Sequence, residues 1–414
     1  MSRDFRYYWS AEVSSTFGST FTTMAIATMG VIVFNASPSE LGFVSAAAVL
    51  PACVFGLLAG VIGDRLRRPR RVLIGCNAAA AALVLCVALG VGTGVATIWW
   101  LAGLCFVLGC IATVVETVYF THLRSLVPPD RLTSGRARLQ TGEYGARTAG
   151  QALAGVLIAV LGGAVALVVD AMTYLVSLVL LTRITAPDQG APPPPADAPR
   201  SVRREIGEGF RQVAKYPFLR TFGVFTAVRS MSVGALATVA APFLLRELSV
   251  PLGLYGALFA ISGLAGLAGS LAAGRLAERM SLDSLAVLGS VGTVCAAFVL
   301  PSASGPLPVA LAIAVLGLAL PTVFGAIANV GLSGALTELV PENALGRAIA
   351  SLRTIATAAQ ILGALGGGVV ADAIGLRPTV WACAGLALVG CVPLLRAVTT
   401  TRRPVPAEEP AVLV

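Results

Sequence analysis

Charged side chains are scarce in this 414-residue chain. Asp, Glu, Lys and Arg make up 12% of the residues, whereas hydrophobic residues make up 57%. Ordinary soluble domains carry roughly a quarter charged residues, so the composition excludes a soluble globular protein and indicates one embedded in a membrane. Histidine is almost absent: the single residue, His122, is predicted to lie at the surface at a helix end.

Several kinds of chemical site are also missing. The eight cysteines all fall in apolar runs and form no Cys-x-x-Cys pair, which predicts packing residues and neither a disulfide framework nor a metal site. No segment resembles a nucleotide-binding loop, so the sequence does not support ATP as an energy source. We therefore expect no cofactor and no enzyme activity.

Long apolar runs dominate what is present. A helix needs about 20 apolar residues to cross a bilayer. This rule predicts an all-α integral membrane protein with twelve transmembrane helices. The predicted spans are 10–34, 40–62, 72–93, 96–122, 136–161, 164–183, 218–245, 252–273, 284–301, 307–335, 345–370 and 377–396.

The basic residues are distributed unevenly between the loops. A net charge of +9 invites a nucleic-acid interpretation, but all except four of the 29 basic residues lie at the termini or in loops on one side of the predicted membrane. Arg246 and Arg377 lie on the other side, and Arg147 and Arg229 lie within spans. The positive-inside rule then predicts a multi-pass cell-membrane protein with both termini cytoplasmic and no nucleic-acid partner.

The chain contains an internal repeat. The segment 60–71 recurs weakly at 274–279, the segment 126–132 recurs at 339–345, and the separation is 213 or 214 residues in each case. Such tandem halves are typical of transporters with a substrate site between the halves. The predicted parts are an N-terminal six-helix bundle (1–183), a cytoplasmic linker with an amphipathic helix (184–217), a C-terminal six-helix bundle (218–396) and a disordered cytoplasmic tail (397–414).

The segment 60–71 resembles the loop 2–3 signature of the major facilitator superfamily, Gly-x-x-x-Asp-Arg-x-x-Arg. With Asp4-Phe-Arg6, Pro51 and the segment 204–211, the chain is similar to the multidrug, macrolide and enterobactin exporter branch. It departs from the family pattern in three places. Arg67 replaces a glycine, Pro69 replaces a basic residue, and Gln151 replaces the proline of an antiporter motif.

This resemblance implies the major facilitator fold and a gating loop. The implied gating residues are Gly60, Asp64, Arg65 and Arg68. By resemblance, Asp64 acts on the N-terminus of span 11, near residues 343–347, where the helix dipole favours a negative charge.

Charged and polar groups at membrane depth are the predicted coupling residues. In span 5, Gln140, Glu143, Arg147 and Gln151 follow one another at steps of 3, 4 and 4, so they form one stripe. Glu143 and Arg147 either form a permanent ion pair or take part in proton transfer with Glu116 of span 4. Glu116 has no charged neighbour in its own helix, which favours it as the first proton carrier.

Three further charges have open roles. Asp170, near the outer end of span 6, is predicted to be solvated or to cap a helix. Arg229 either attracts an anionic group or compensates the negative charge of Glu116. Glu12 is predicted to be an interfacial charge.

A polar and aromatic cavity is expected around span 1, which is rich in serine and threonine. In the superfamily that the chain resembles, spans 1, 4, 7 and 10 line the central cavity. The predicted substrate-cavity residues are Phe17, Phe21, Tyr119, Gln151, Arg229, Phe324 and Asn329. The alternative for the hydroxyl groups is that they only satisfy backbone carbonyls.

These features predict a monomeric secondary transporter. We expect it to export a small amphipathic compound, such as a drug, antibiotic or siderophore-like molecule, by proton antiport with alternating access. Two alternatives stay open: a lipid or lysophospholipid flippase of the same fold, and a non-transporting membrane scaffold or sensor.

Overall fold

A computed structural model describes residues 2–63, 68–188, 211, 214, 217–339 and 342–400. Asp64 and Arg65 of the predicted gating loop lie outside these residues, as do nearly all of the predicted amphipathic helix and the tail beyond Thr400. Within the described residues the chain is helical and has no strand.

Twelve long helices occupy the described part of the chain. They are Arg3–Ile32 (α1), Pro38–Gly63 (α2), Pro69–Gly92 (α3), Ile98–Leu126 (α4), Leu132–Leu161 (α5), Gly163–Thr182 (α6), Pro217–Pro242 (α7), Leu252–Ala277 (α8), Leu282–Ala297 (α9), Leu307–Leu339 (α10), Glu342–Ile374 (α11) and Leu376–Thr400 (α12). Short helical turns also occur at Pro129–Arg131, Phe243–Glu247 and Leu300–Ser302.

Eleven of these helices are long and apolar enough to cross a membrane, judged by length and composition within the described residues. The helix that falls short is α1, because its many serine and threonine residues and its charged first turns lower its hydropathy. The prediction of twelve helices is confirmed, and the polar character of α1 marks it as a helix that faces a cavity.

The helices pack in two groups with the same internal pattern. In the first group, α1 packs on α5 and α6, α2 packs on α4, and α3 packs on α4 and α6. In the second group, α7 packs on α11 and α12, α8 packs on α10, and α9 packs on α10 and α12. Each pair therefore has a counterpart six helices later, as a duplicated chain requires.

The tight connections follow the same repeat. Gly162 joins α5 to α6 with a φ of 85°, and Gly375 joins α11 to α12 with a φ of 93°. Both are single-residue links in a backbone region that glycine tolerates and L side chains rarely adopt. The difference between their numbers is 213, which equals the separation of the sequence repeats.

The two groups contact each other through glycine at one end of the bundle, here named the closed end, where α1 ends and α2 begins. A Cβ atom on Gly42 of α2 would lie 2.7 Å from the carbonyl oxygen of Ala364 in α11, and one on Gly155 of α5 would lie 2.6 Å from the Cα atom of Gly256 in α8. Small residues of this kind let helix backbones touch within a membrane. The contact is therefore made by backbone against backbone.

Two polar links reinforce the closed end. Ser39 at the start of α2 donates its backbone N–H to the Asp372 carboxylate of α11 at 3.0 Å, and its hydroxyl also contacts that carboxylate. Arg246, beyond α7, donates to the Val31 carbonyl oxygen at 2.8 Å and to the Asn35 side-chain oxygen at 3.1 Å. The last turn of α1 and the first turn of α2 are thus tied to the second group.

At the opposite end of the first group, Asp4 connects α1 to the segment after α6. Its carboxylate accepts hydrogen bonds from the Thr185 N–H at 3.1 Å, the Ala186 N–H at 2.9 Å and the Thr185 hydroxyl at 3.2 Å. These bonds, led by the one from the Thr185 backbone, lower the pKa of Asp4 below its ordinary value of 3.8. Since the folded-state pKa is lowered, the stabilisation is present above pH 3.8 and is lost as the pH falls further.

We expect Asp4→Asn to lower the stability of the protein at neutral pH by about 0.5–1 kcal/mol, the range for a charged hydrogen bond that is exposed and screened by solvent. Thermal melts of the detergent-solubilised protein measure the difference. The melting curves of wild type and Asp4→Asn should converge as the pH falls below 3.8. The control Asp130→Asn, at an exposed aspartate, should show no pH-dependent difference from wild type. A constant offset at every pH would contradict a role for the Asp4 charge.

His122 corrects one expectation. The residue was predicted to lie at the surface, but only 1% of it is exposed, and its ring packs edge-on against Tyr8 with 5.1 Å between the ring centres. The helix continues to Leu126, one turn past the predicted end of span 4 at residue 122. His122 is consequently part of the core between α1 and α4.

Candidate functional site: a charged cavity between α1, α4 and α5

A cavity of about 690 Å³ lies between the helices of the first group. It is enclosed by α1, α3, α4 and α5, with Tyr174 of α6 at one wall. We name it the N-terminal cavity. Its charged and amide-bearing lining residues are Glu12, Asn77, Glu116, Arg136, Gln140, Glu143, Arg147 and Gln151.

The polar stripe of α5 forms one wall of this cavity. Gln140, Glu143, Arg147 and Gln151 all line it. Arg136 lines the cavity as well. It precedes Gln140 by four residues, so the same helical spacing would have found it from the sequence.

Glu143 is bonded to α4. Its carboxylate accepts a hydrogen bond from the Tyr119 hydroxyl at 3.0 Å. Among the described residues no ion pair within 4.0 Å joins Glu143 to Arg147, so the permanent pair that the sequence allowed is not formed in this structure. Arg147 instead lines the cavity, as does Glu12.

Glu116 reaches across to the second group. Both of its carboxylate oxygens lie 2.6 Å from Nη2 of Arg353 in α11. Both side chains are more than half exposed, at 56% for Glu116 and 64% for Arg353. The sequence required Glu116 to find a partner on another helix or to be protonated, and the structure supplies the partner.

Arg353 was not predicted as a site residue. The sequence analysis counted it among the basic residues on the predicted cytoplasmic side, although predicted span 11 ran from 345 to 370. In the structure α11 begins at Glu342, and Arg353 lies three turns inside it. Its partner is 237 residues away in the sequence, and a single sequence gives no signal for such a contact.

Four hydroxyl groups of α1 line the cavity and are also bonded to their own helix. The Ser15, Ser19, Thr20 and Thr23 side chains line the cavity. Each also donates to a carbonyl oxygen of its own helix, at 3.2, 2.7, 2.6 and 2.9 Å respectively. These four hydroxyls therefore line the cavity and also satisfy backbone carbonyls of their own helix.

The remaining predicted cavity residues are divided. Tyr119 and Gln151 line the N-terminal cavity, but five others do not: Phe17, Phe21, Arg229, Phe324 and Asn329. Phe21 is buried in the main core with Phe17 packed beside it. Phe324 packs against Gly292 of α9, and the Arg229 guanidinium lies beside Gly325, so these two residues belong to the second group.

Asp170 also corrects an expectation. It was predicted to be solvated or to cap a helix, but its exposed fraction is 0%. It lies eight residues into α6 and faces α1, where the Thr22 hydroxyl is 2.5 Å from its Oδ2 atom. The sequence could not show this, because the direction in which α6 faces depends on packing with α1.

The predicted gating residues are only partly described. Gly60 lies in α2, and Arg68 immediately precedes α3, is exposed and makes no capping hydrogen bond through its side chain. The N-terminus of α11, where Asp64 is expected to act, begins at Glu342. Asp64 and Arg65 themselves lie outside the described residues.

Two groups of six helices, the first of which encloses a polar cavity, define the class of the protein: a twelve-helix membrane fold. Solved structures support this. The nucleoside transporter NupG is similar with a TM-score of 0.74 and 14% identity, covering 96% of this chain and 99% of that chain. A bacterial homologue of the iron transporter ferroportin, in an inward-facing state, has a TM-score of 0.77 and 14% identity, covering 96% and 100%.

The chain belongs to the major facilitator superfamily. A family model described as "transmembrane secretion effector" matches residues 1–409. The uncharacterised MFS-type transporter YfiS of Bacillus subtilis is 24% identical over 93% of this chain and 91% of its own. The multidrug efflux pump Tap of Mycobacterium tuberculosis is 27% identical over 84% and 82%. The family and fold are thus those of multi-pass membrane transporters.

Proposed function

We propose that the protein exports a small amphipathic compound in exchange for protons. The observation that carries the proposal is the N-terminal cavity, which combines three carboxylates with serine, threonine and tyrosine hydroxyls at membrane depth. Its volume of about 690 Å³ falls within the range of roughly 300–1,000 Å³ typical of small-molecule sites. The similarity to the multidrug efflux pump Tap favours export of drug-like compounds.

Proton coupling is assigned to Glu116 and Glu143, with Arg147 as their nearby positive charge. Glu116 is the first choice because its carboxylate lies on α4 and its partner, Arg353, lies on α11 of the other group. Protonation of Glu116 removes its negative charge and so breaks the ion pair, leaving the positive charge on Arg353. A rocking motion of 1–183 against 218–396 would then proceed without separating opposite charges.

The substrate-binding site is assigned to the wall of the N-terminal cavity that Tyr119 and Gln151 form. Phe17, Phe21, Arg229, Phe324 and Asn329 belong to the same proposal if the cavity extends between the two groups in another state of the cycle. The gating role of Gly60, Asp64, Arg65 and Arg68, the cytoplasmic location of both termini and the monomeric state are part of this proposal as well.

A second candidate function is translocation of a lipid or lysophospholipid. It is favoured by an apolar groove of about 780 Å³ between α1 and α5, separate from the N-terminal cavity. Its lining includes Phe5, Trp9, Val13 and Ala146, with Arg6 and Arg138 beside them. An acyl chain beside a phosphate group has the matching chemistry.

Transport into proteoliposomes tests the two functions. Purified protein is reconstituted, an acidic interior is imposed, and a panel of amphipathic dyes and antibiotics is compared with a fluorescent lysophospholipid. We expect accumulation of at least one amphipathic compound, and its loss when a protonophore collapses the gradient.

Three results would contradict the proposal. Accumulation that survives collapse of the gradient would reject proton antiport, and movement of the lysophospholipid alone would favour the flippase. No transport of either class by folded protein would favour a scaffold or sensor.

A further inference from the structure

Asp170 is a buried carboxyl group that the proposed transport cycle does not use. Its side chain is enclosed between α6 and α1, and its exposed fraction is 0%. Two hydroxyls approach it: Thr22 Oγ1 lies 2.5 Å from Oδ2, and Thr173 Oγ1 lies 3.3 Å from Oδ1. The Thr173 hydroxyl also donates to the Asp170 backbone carbonyl at 2.8 Å.

No cation faces this carboxyl. The helices packed against α6 are α1, α3 and α5, all within the described residues, and none of their charged side chains interacts with Asp170. The titratable group that does face it is the neutral phenol of Tyr174. An ionised carboxylate in such a place is strongly disfavoured, because it is closed to solvent and no counter-charge compensates it.

A metal ion does not fit beside it either. The backbone of α1 at Gly18 lies so close that a Cβ atom there would overlap the Thr173 hydroxyl oxygen and lie 2.6 Å from Asp170 Oδ1. A cation such as Ca²⁺ needs six or more oxygen atoms at about 2.3–2.6 Å around it. A space that cannot admit a methyl group cannot hold that shell, whereas a proton needs no space.

We propose that Asp170 is a proton-binding site, distinct from the carboxylates of the N-terminal cavity, and that its bound proton is what allows α1 to lie directly on α6. Loss of the proton leaves an unpaired charge at this interface and drives the two helices apart. Ser19 of α1 and Tyr174 of α6, whose hydroxyl oxygens are 3.1 Å apart, line the cavity. The proton on Asp170 therefore also controls the shape of one cavity wall.

Infrared spectroscopy and thermal melts of the purified protein in lipid nanodiscs test this site without any transport assay. Wild-type protein should show a protonated-carboxyl C=O band that disappears in Asp170→Asn, which keeps the size and neutrality of the side chain. Above about pH 4, where an exposed aspartate ionises, the folding constant of the wild type should fall by up to tenfold more per pH unit than that of Asp170→Asn. Asp130→Asn, at an exposed aspartate, should change neither the band nor the slope.

Thr22→Val provides a second assignment that keeps Asp170 itself. Removing the hydroxyl should shift the frequency of the same band, so the site stays testable if Asp170→Asn does not fold. A spectrum without a protonated-carboxyl band, or a band unchanged by both substitutions, would overturn the proposal. Because these measurements involve no substrate, the proton site can fail while proton-coupled export stands, and the reverse also holds.

Discussion

Glu116→Gln is expected to reduce pH-driven transport by at least about tenfold, which is about 1.4 kcal/mol of activation free energy. Glutamine has the size of glutamate and its oxygen can still accept a hydrogen bond from Arg353, but it cannot bind and release a proton. The pair is more than half exposed, so its contribution to stability is roughly 0–1 kcal/mol and the variant should remain folded. Initial rates in proteoliposomes, measured against pH, check the expectation.

The control for this substitution is Asp130→Asn, which removes an exposed carboxylate from the Pro129–Arg131 turn. It should transport at the wild-type rate. Wild-type rates in Glu116→Gln would exclude Glu116 as the proton carrier.

A reversed pair separates proton transfer from simple pairing. The double variant Glu116→Arg with Arg353→Glu retains opposite charges on α4 and α11 but moves the carboxylate to α11. If the pair only holds the two groups together, the double variant should recover transport. If the carboxylate must lie on α4 within the N-terminal cavity, it should stay inactive.

Gly155→Ala is expected to shift the protein out of the conformation seen here. The added methyl group would lie 2.6 Å from the Cα atom of Gly256, and backbone cannot move aside as a flexible side chain can. Overpacking of this kind costs about 1–3 kcal/mol, which corresponds to a population shift of roughly 5- to 150-fold. The contact between Gly155 and Gly256 belongs to the conformation in which the closed end is closed. The overpacking therefore destabilises that conformation.

Gly145→Ala is the matched control, because it lies on the same helix and a Cβ atom there meets nothing within 4 Å. Spin labels at Val33 and Ser249, in a background without cysteine, report the distance across the closed end. We expect a longer distance in Gly155→Ala and an unchanged one in Gly145→Ala. Equal distances in both variants would show that the glycine contact does not govern closure.

Much of the fold could be predicted because it depends on local composition and on repetition. Apolar runs of bilayer length define eleven of the twelve helices. The shift of 213 residues recurs between Gly162 and Gly375, which the sequence repeats had not included. The stripe from Gln140 to Gln151 was predicted for a similar reason, since helical periodicity alone brings its members to one face. The boundaries of the two domains stay a prediction.

The missed features depend on contacts between distant segments. Arg353 meets Glu116 only through the packing of the two groups, and Asp170 is buried only because Gly18 allows α1 to approach α6. His122 is buried because α4 extends one turn further and Tyr8 covers it. The sequence analysis singled out Asp170 and His122 but only counted Arg353 among the basic residues, and the surroundings of all three come from another helix.

The hydroxyl-rich face of α1 has a further consequence for recognition. Ser15, Ser19, Thr20 and Thr23 each commit their hydrogen to a carbonyl of the same helix, so what remains toward the cavity is oxygen lone pairs. A molecule that lies against this wall must bring its own hydrogens, as ammonium, amide or hydroxyl groups do. Compounds that carry only acceptor atoms would find no donor among these four hydroxyls.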